Sequence, residues 1–253
     1  MNFLGLDLQD IGVAEAVRRI AARPAQAPFA YVVTPNADHF ARLIRDPNLR
    51  PLYEHAWLRL LDSRFLNRFA AAVGVAAPSA APGSDVTAML LRDGIAPDDY
   101  VTVVGLRPEW LPALRSNTGL RRIAHQDPPM GFEHDPVAFQ ATVDFVLRNP
   151  ARYVFLAVGS PRQEKLAAAI AATGQATGIG LCIGASLEFV AGTRWRAPKF
   201  LRDAGLEWLA RLVTEPHRLG RRYLVDCPVV LAHLRKARST ITRRTNSASE
   251  FIS

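Results

Sequence analysis

An α/β fold, a largely parallel sheet with helices on both of its faces, is what this sequence predicts, and three observations carry the expectation. Short apolar runs rich in Val, Ile and aromatic residues alternate with longer segments of helical period along residues 1–193. The run Tyr153-Val154-Phe155-Leu156-Ala157-Val158-Gly159 is apolar throughout, as a strand buried on both faces must be. Several of the apolar runs end in polar, turn-forming residues from which a helical pattern then starts.

In chain order, residues 2–8 form the first strand candidate and residues 11–22 the first helix candidate. A strand at 29–34 ends in Thr34-Pro35-Asn36, and a helical pattern runs from 37 to 53. The strand at 57–61 ends in Asp62-Ser63-Arg64, before helix candidates at 64–73 and 85–92. Residues 100–105 read as a strand closed by Gly105-Leu106-Arg107-Pro108, then a helix at 108–116 and a strand at 120–124. A helix at 136–148 leads to the strand at 153–158, and Gly159-Ser160-Pro161-Arg162-Gln163-Glu164 opens the helix at 162–173. A strand at 179–183 completes the set. Sequential βα units of this kind connect with one hand, which makes the expected sheet Rossmann-like.

After Gly192 the pattern changes. Residues 194–238 keep helical period, carry no strand signal, and are interrupted by Pro198, Gly205, Pro216 and Pro228. They are expected to form a helical C-terminal appendage to an α/β catalytic domain at 1–193, with residues 239–253 a polar, disordered tail.

Hydrophobic residues make up 49% of the 253 and charged residues 21%, which excludes collagenous, coiled-coil and wholly disordered chains. Cys182 and Cys227 lie in apolar surroundings, as buried thiols of a reducing cytoplasm do. The N-terminal MNFLGLDLQD lacks a basic region, so no signal peptide is expected. Residues 166–187 are uncharged, but their four glycines break them into helix, turn and strand.

The net charge of +8 is unevenly placed. Between Arg194 and Arg244 there are 13 Lys and Arg against 4 Asp and Glu, whereas residues 1–193 hold 18 of each. A neutral body with a basic end fits a polyanionic partner: a phosphate-bearing substrate, an anionic membrane surface or a nucleic acid. The nucleic-acid reading is disfavoured, because the arginines are not interleaved with exposed aromatics.

GxGxxG after a strand, GxxxxGK[ST] and GxSxG are all absent. The six histidines show no HExxH or paired ligand spacing, and no DxD pair is present, so neither a metal nor another cofactor is expected and each His reads as a surface or packing residue. Chemistry is sought at the carboxyl ends of the strands, where open α/β sheets bind ligands. Asp62 directly follows a buried strand, a partly desolvated setting suited to a general base. Thr34 and Asn36 offer a hydroxyl and an amide to a hydroxyl-rich ligand. Gly105 closes another strand, and Gly159 permits close backbone approach. Gln163 and Glu164 sit in the first turn of the following helix, where they face the crevice, form a capping box in the case of Gln163 with Ser160, or do both. If residues 216–224 are helical, Arg218 and Arg222 share a face with Arg221 beside them, either a solvated basic surface or an anion clamp.

VGSPRQEK, followed by IGASLEFVAGTRWRAPKFLRDAGLEWLARLVTEPHRLGRRYL, resembles the WecG/TagA/CpsF family of bacterial glycosyltransferases, glycosyltransferase family 26. TPNADHF is similar to the family's T-x-N segment and LLDSRFL to its strand ending in a D-x-x loop, so the resemblance runs from about residue 3 to 235. It implies an inverting, metal-independent transfer of a hexose or N-acetylhexosamine from a UDP-sugar donor to a polyprenyl-diphosphate-linked acceptor, by a protein held peripherally on the cytoplasmic membrane face. Within it Asp62 matches the proposed base, Thr34 and Asn36 match polar pocket residues, Gln163 matches the glutamine of the G-x-P-x-Q-E motif, and Arg218, Arg221 and Arg222 match appendage arginines over the donor diphosphate. Arg235, Lys236, Arg238, Arg243 and Arg244 are expected to meet anionic lipid. The sequence departs from the pattern at Ala185, where a second glycine is common, at Glu188, which replaces Asp, and at Ala80, which stands where many members have Arg. Arg64 is the candidate to supply that charge.

Overall fold

The computed structural model describes residues 1–195, 197, 198, 201, 209, 212, 213, 220 and 226–236. Its centre is a six-stranded, all-parallel sheet in the order β4-β3-β8-β7-β5-β6. The strands are β3 (Ala30–Val33), β4 (Leu58–Arg59), β5 (Tyr100–Gly105), β6 (Arg122–Gln126), β7 (Tyr153–Ala157) and β8 (Ile179–Cys182). The α/β, parallel-sheet expectation is met, and the polar strand ends all emerge at one edge.

The first strand candidate has a different fate. Residues 2–8 fold into a separate antiparallel hairpin of β1 (Asn2–Phe3) and β2 (Leu6–Asp7). Leu4 and Gly5 both take positive φ, 52° and 78°, the combination that closes a two-residue hairpin turn. Phe3 is buried edge-on against Phe40, with ring centroids 5.6 Å apart. The alternation of apolar residues is genuine, but Gly5 divides it.

The helices are α1 (Val13–Ala22), α2 (Ala37–Arg45), α3 (Pro51–Glu54), α4 (Arg64–Ala72), α5 (Gly83–Met89), α6 (Leu111–Thr118), α7 (Pro136–Arg148), α8 (Arg162–Ala172) and α9 (Ser186–Val190). The single helix expected over 37–53 is divided into α2, a turn at Pro47–Leu49, and α3. Pro47 has no N–H to give and pushes Asp46 out of the helical region, to φ −131° and ψ 88°.

Alternation along the buried strands splits the core into two layers. Tyr31, Val33, Val154 and Leu156 face α2, α7 and α8 through Phe40, Val143, Val146, Leu166 and Ile170. Val32, Val101, Val103, Phe155 and Leu181 face α1, α5, α6 and α9 through Ile20, Val86, Leu114 and Leu187. Each such side chain contributes roughly 1.5–3 kcal/mol by leaving water. The first layer also takes Cys227, Val230 and Leu234 from helical residues 226–236. Asp226 there pairs with Arg45 of α2 at 2.6 Å, and the Arg235 guanidinium lies over the Phe69 ring.

The chain leaves β5 through α6 on one face and leaves β7 through α8 on the other. Between those two adjacent strands the sheet therefore has a topological switch point, the usual location of a ligand crevice.

Candidate active site

Asp62 sits at a corner made by three chain segments. Its main-chain N–H donates to Pro35 O at 2.9 Å, which ties the loop after β4 to the loop after β3. On its other side Leu61 bridges in parallel to Ala80, and Ala81 N donates to Leu61 O at 2.9 Å. The chain then turns into α5, where a Cβ on Gly83 would stand 2.6 Å from Thr34 Oγ1. Thr34 is thus buried beneath the first turn of α5. Ser63, not Asp62, caps α4 by accepting from Leu66 N at 3.0 Å. Arg64 pairs with Asp85 at 2.6 Å, so its charge is already matched by a carboxylate.

Asn36 begins a second polar chain. It caps α2, its Oδ1 accepting from Asp38 N at 3.1 Å and lying 2.9 Å from His39 Nδ1. The far ring nitrogen, Nε2, faces Glu164 Oε1 at 3.7 Å. Glu164 also accepts from Gln163 Nε2 at 2.9 Å, and Gln163 Oε1 accepts from Gly184 N at 2.8 Å. The loops after β3, β7 and β8 are linked through these side chains. Gln163 and Glu164 are both buried, with residue exposures of 3% and 1%. Burial alone would raise the Glu164 pKa, but hydrogen bonding and charge from His39, with the hydrogen bond from Gln163, outweigh it and hold it low. Burial pushes the phenols of Tyr31 and Tyr53 and the thiol of Cys182 up, so each stays neutral beside that carboxylate.

Ser160 does not serve as the expected helix cap. Pro161 occupies that position without a side-chain cap, so the Ser160–Gln163 capping box is not formed. The Ser160 hydroxyl instead accepts from Arg42 Nη1 at 2.8 Å and lies 3.3 Å from Tyr53 Oη, while Arg42 pairs with Asp38. The remaining sequence candidates fall elsewhere along the edge. Gly159 takes φ +79° ahead of α8. Gly105, at φ +87°, has no room for a side chain, since a Cβ would meet the Ala157 backbone at 2.8 Å. Four strand spacings separate β4 from β5, roughly 19 Å, so Gly105 belongs to the switch point and not to the Asp62 corner. Glu188 on α9 pairs with Arg194 at 3.1 Å. Arg218, Arg221 and Arg222 lie outside the described residues.

His39, Arg42, Tyr53 and Asp85 were not singled out by the sequence patterns. His39 had a local signal, three residues beyond the cap Asn36, while Tyr53 and Asp85 reach the site only through the tertiary fold. His125, also unassigned, places Nε2 at 3.1 and 2.8 Å from the carbonyls of Gly105 and Leu106 and steadies the turn after β5.

Among the described residues no group of three or more His, Cys, Asp and Glu side chains is arranged to hold a metal ion. No helix among them is long and apolar enough to cross a membrane. A family model described as glycosyl transferase WecG/TagA/CpsF matches residues 1–244. That match spans the parallel sheet, both polar corners and the basic C-terminal segment together, and the chain belongs to this family of glycosyltransferases.

Proposed function

We propose that this glycosyltransferase moves a hexose or N-acetylhexosamine, such as glucose or N-acetylmannosamine, from a UDP-sugar to a polyprenyl-diphosphate-linked saccharide during cell-surface polysaccharide assembly. The observation that carries the reading is the hydrogen bond from Asp62 N to Pro35 O, which brings the Asp62 loop against Thr34-Pro35-Asn36 at the carboxyl edge of the sheet. Asp62 is the base that takes the proton from the acceptor hydroxyl. The hydroxyl oxygen bonds to the anomeric carbon from the face opposite the leaving group, the bond to the diphosphate breaks, and configuration inverts. Thr34 and Asn36 orient the acceptor hydroxyls, and Glu188 and Gln163 shape the pocket from the loops after β8 and β7.

The departing UDP gains negative charge at the diphosphate. Arg218, Arg221 and Arg222 are assigned to neutralise it, since guanidinium groups bind phosphate oxygens two at a time. Arg235 and Lys236, both exposed, are assigned to an anionic membrane surface on the cytoplasmic side. The test is Asp62→Asn, assayed with a panel of UDP-sugars and a lipid-diphosphate acceptor in the presence of EDTA. Turnover is expected to fall by about 10²-fold or more while donor binding persists. Full activity in the variant overturns the role of Asp62, and abolition of wild-type turnover by EDTA overturns metal independence.

A further inference from the structure

The two margins of the parallel sheet are finished differently. The outer side of β4 is covered: Gln9 N donates to Arg59 O at 2.9 Å, Arg59 N donates to Gln9 Oε1 at 2.7 Å, and Ala80 bridges to Leu61. β6, five residues long, is the opposite margin. In a parallel ladder each residue turns its N–H and C=O to one side, and the next residue turns them to the other. Ile183 N donates to Leu156 O, so Leu156 faces β8 and its neighbour Phe155 faces β5. Phe155 is paired with Val103 and Val103 with His125, so Val103 faces β6, Ala124 and Gln126 face β5, and Ile123 and His125 point outward. Among the described residues nothing outside the sheet bonds to the main-chain groups of Ile123 or His125.

The side chains give this margin little of the protection an open edge usually carries. β6 pairs with β5 without a bulge, holds no proline or lysine, and its one arginine, Arg122, lies back over the Tyr100 ring. Ala124, at its centre, has the smallest side chain of the five. In the connection that leaves the strand, Met130 and Val137 are 91% and 78% exposed, the highest values among the large apolar side chains described. Arg121 and Asp127 stand at equal distances along the chain on either side of Ala124, and both are exposed. Arg121 reaches Asp98 at 3.1 Å, whereas Asp127 has no ion-pair partner among the described residues.

We propose that β6 is the seam with a second copy of this chain, the two strands pairing antiparallel about a two-fold axis at Ala124. In that register Ile123 of each copy lies opposite His125 of the other, and the outward residues exchange N–H and C=O bonds. Ala124 meets its own counterpart as a non-hydrogen-bonded pair, and Arg121 of each copy stands opposite Asp127 of the other. A register shifted by two residues moves Arg121 away from Asp127 and loses that match. Met130 and Val137 are the apolar surface available to the copy beside the seam. The six-stranded sheets are joined edge to edge, and because β4 is the other margin, the Asp62 corner of each copy is left untouched.

The test is sedimentation equilibrium of the full chain at micromolar concentration. A mass of twice 27.8 kDa is expected, and a monomer throughout overturns the proposal. D127R sets arginine against arginine at both ends of the seam and should weaken association about tenfold or more. R121D/D127R exchanges the two charges and should restore it. A dimer indifferent to D127R, or one that the exchange does not restore, overturns the register. The second arm is cross-linking under mild copper–phenanthroline oxidation, read on a non-reducing gel. Ala124→Cys should give a covalent dimer, because directly opposite residues of an antiparallel pair hold their Cβ atoms about 4.5–5.5 Å apart, and Ile123→Cys should not. Cys182 and Cys227 are buried and leave the background low. A wild-type dimer in which A124C fails to cross-link overturns β6 as the seam, whether or not D127R folds.

Discussion

Around Asp62 the side chains stay partly open and the loops are joined by main-chain hydrogen bonds, whereas around Glu164 the polar groups are sealed and bonded to one another. The Asp62 corner lies beside β4, an edge strand of two residues; the Glu164 corner lies behind β7 and β8, in the middle of the sheet. An edge loop lies nearer to solvent, and Asp62 there is half-buried. A central loop is covered by α2 and α3, so a charge there must be matched within the protein. The division separates groups suited to chemistry from groups suited to holding geometry.

The largest expected effect tests that division directly. Asp62→Asn should cut turnover about 10²-fold, because it removes the proton acceptor while keeping the size and shape of the side chain, so its effect on activity should exceed its effect on stability. His39→Ala should do the reverse at the sealed corner. It leaves Glu164 buried without its partner and should cost about 3–5 kcal/mol in denaturant unfolding. A loss below about 1 kcal/mol would show that the two corners do not differ in this way.

Gly83→Ala is a sharper probe of the open corner. The added methyl would meet Thr34 Oγ1 at 2.6 Å, so either Thr34 or the start of α5 must shift. A destabilisation of about 1–3 kcal/mol is expected, with a raised acceptor KM. Acid titration probes the sealed corner. Burial pushes the Glu164 pKa up, but hydrogen bonding and charge from His39 and hydrogen bonds from Gln163 and Ser160 hold it below that of an ordinary glutamate, so its contribution to stability is present above the ordinary value and lost as pH falls through the lower one. Melting curves between roughly pH 5 and pH 3 should steepen in the wild type relative to Glu164→Gln. The smallest effect belongs to Arg64→Ala, whose partly exposed pair with Asp85 should contribute under about 1 kcal/mol.

Much of this arrangement was legible in the sequence, for physical reasons. Buried parallel strands must be apolar on both faces, and β7 declared itself in that way. The residues that stop such strands are polar because they meet solvent, which brought Thr34, Asn36 and Asp62 forward. The hairpin at Leu4-Gly5 was not legible, since an alternating pattern looks alike in one strand or in two folded back. Nor was the sealed network: Tyr53 and Ser160 are 107 positions apart, and no local pattern predicts their contact. Ser160 had the right spacing for a cap, but the fold offered it Arg42 instead.

The docking of residues 226–236 changes how the C-terminal part of the chain has to be probed. Val230 and Leu234 are interior side chains of the sheet domain, worth together roughly 3–6 kcal/mol. A chain cut short of them would bare an oily patch on α2 and α4 and lose solubility along with any lipid affinity. Reversing single surface charges such as Arg235 and Lys236 keeps those anchors seated, and so separates attachment to a bilayer from integrity of the body.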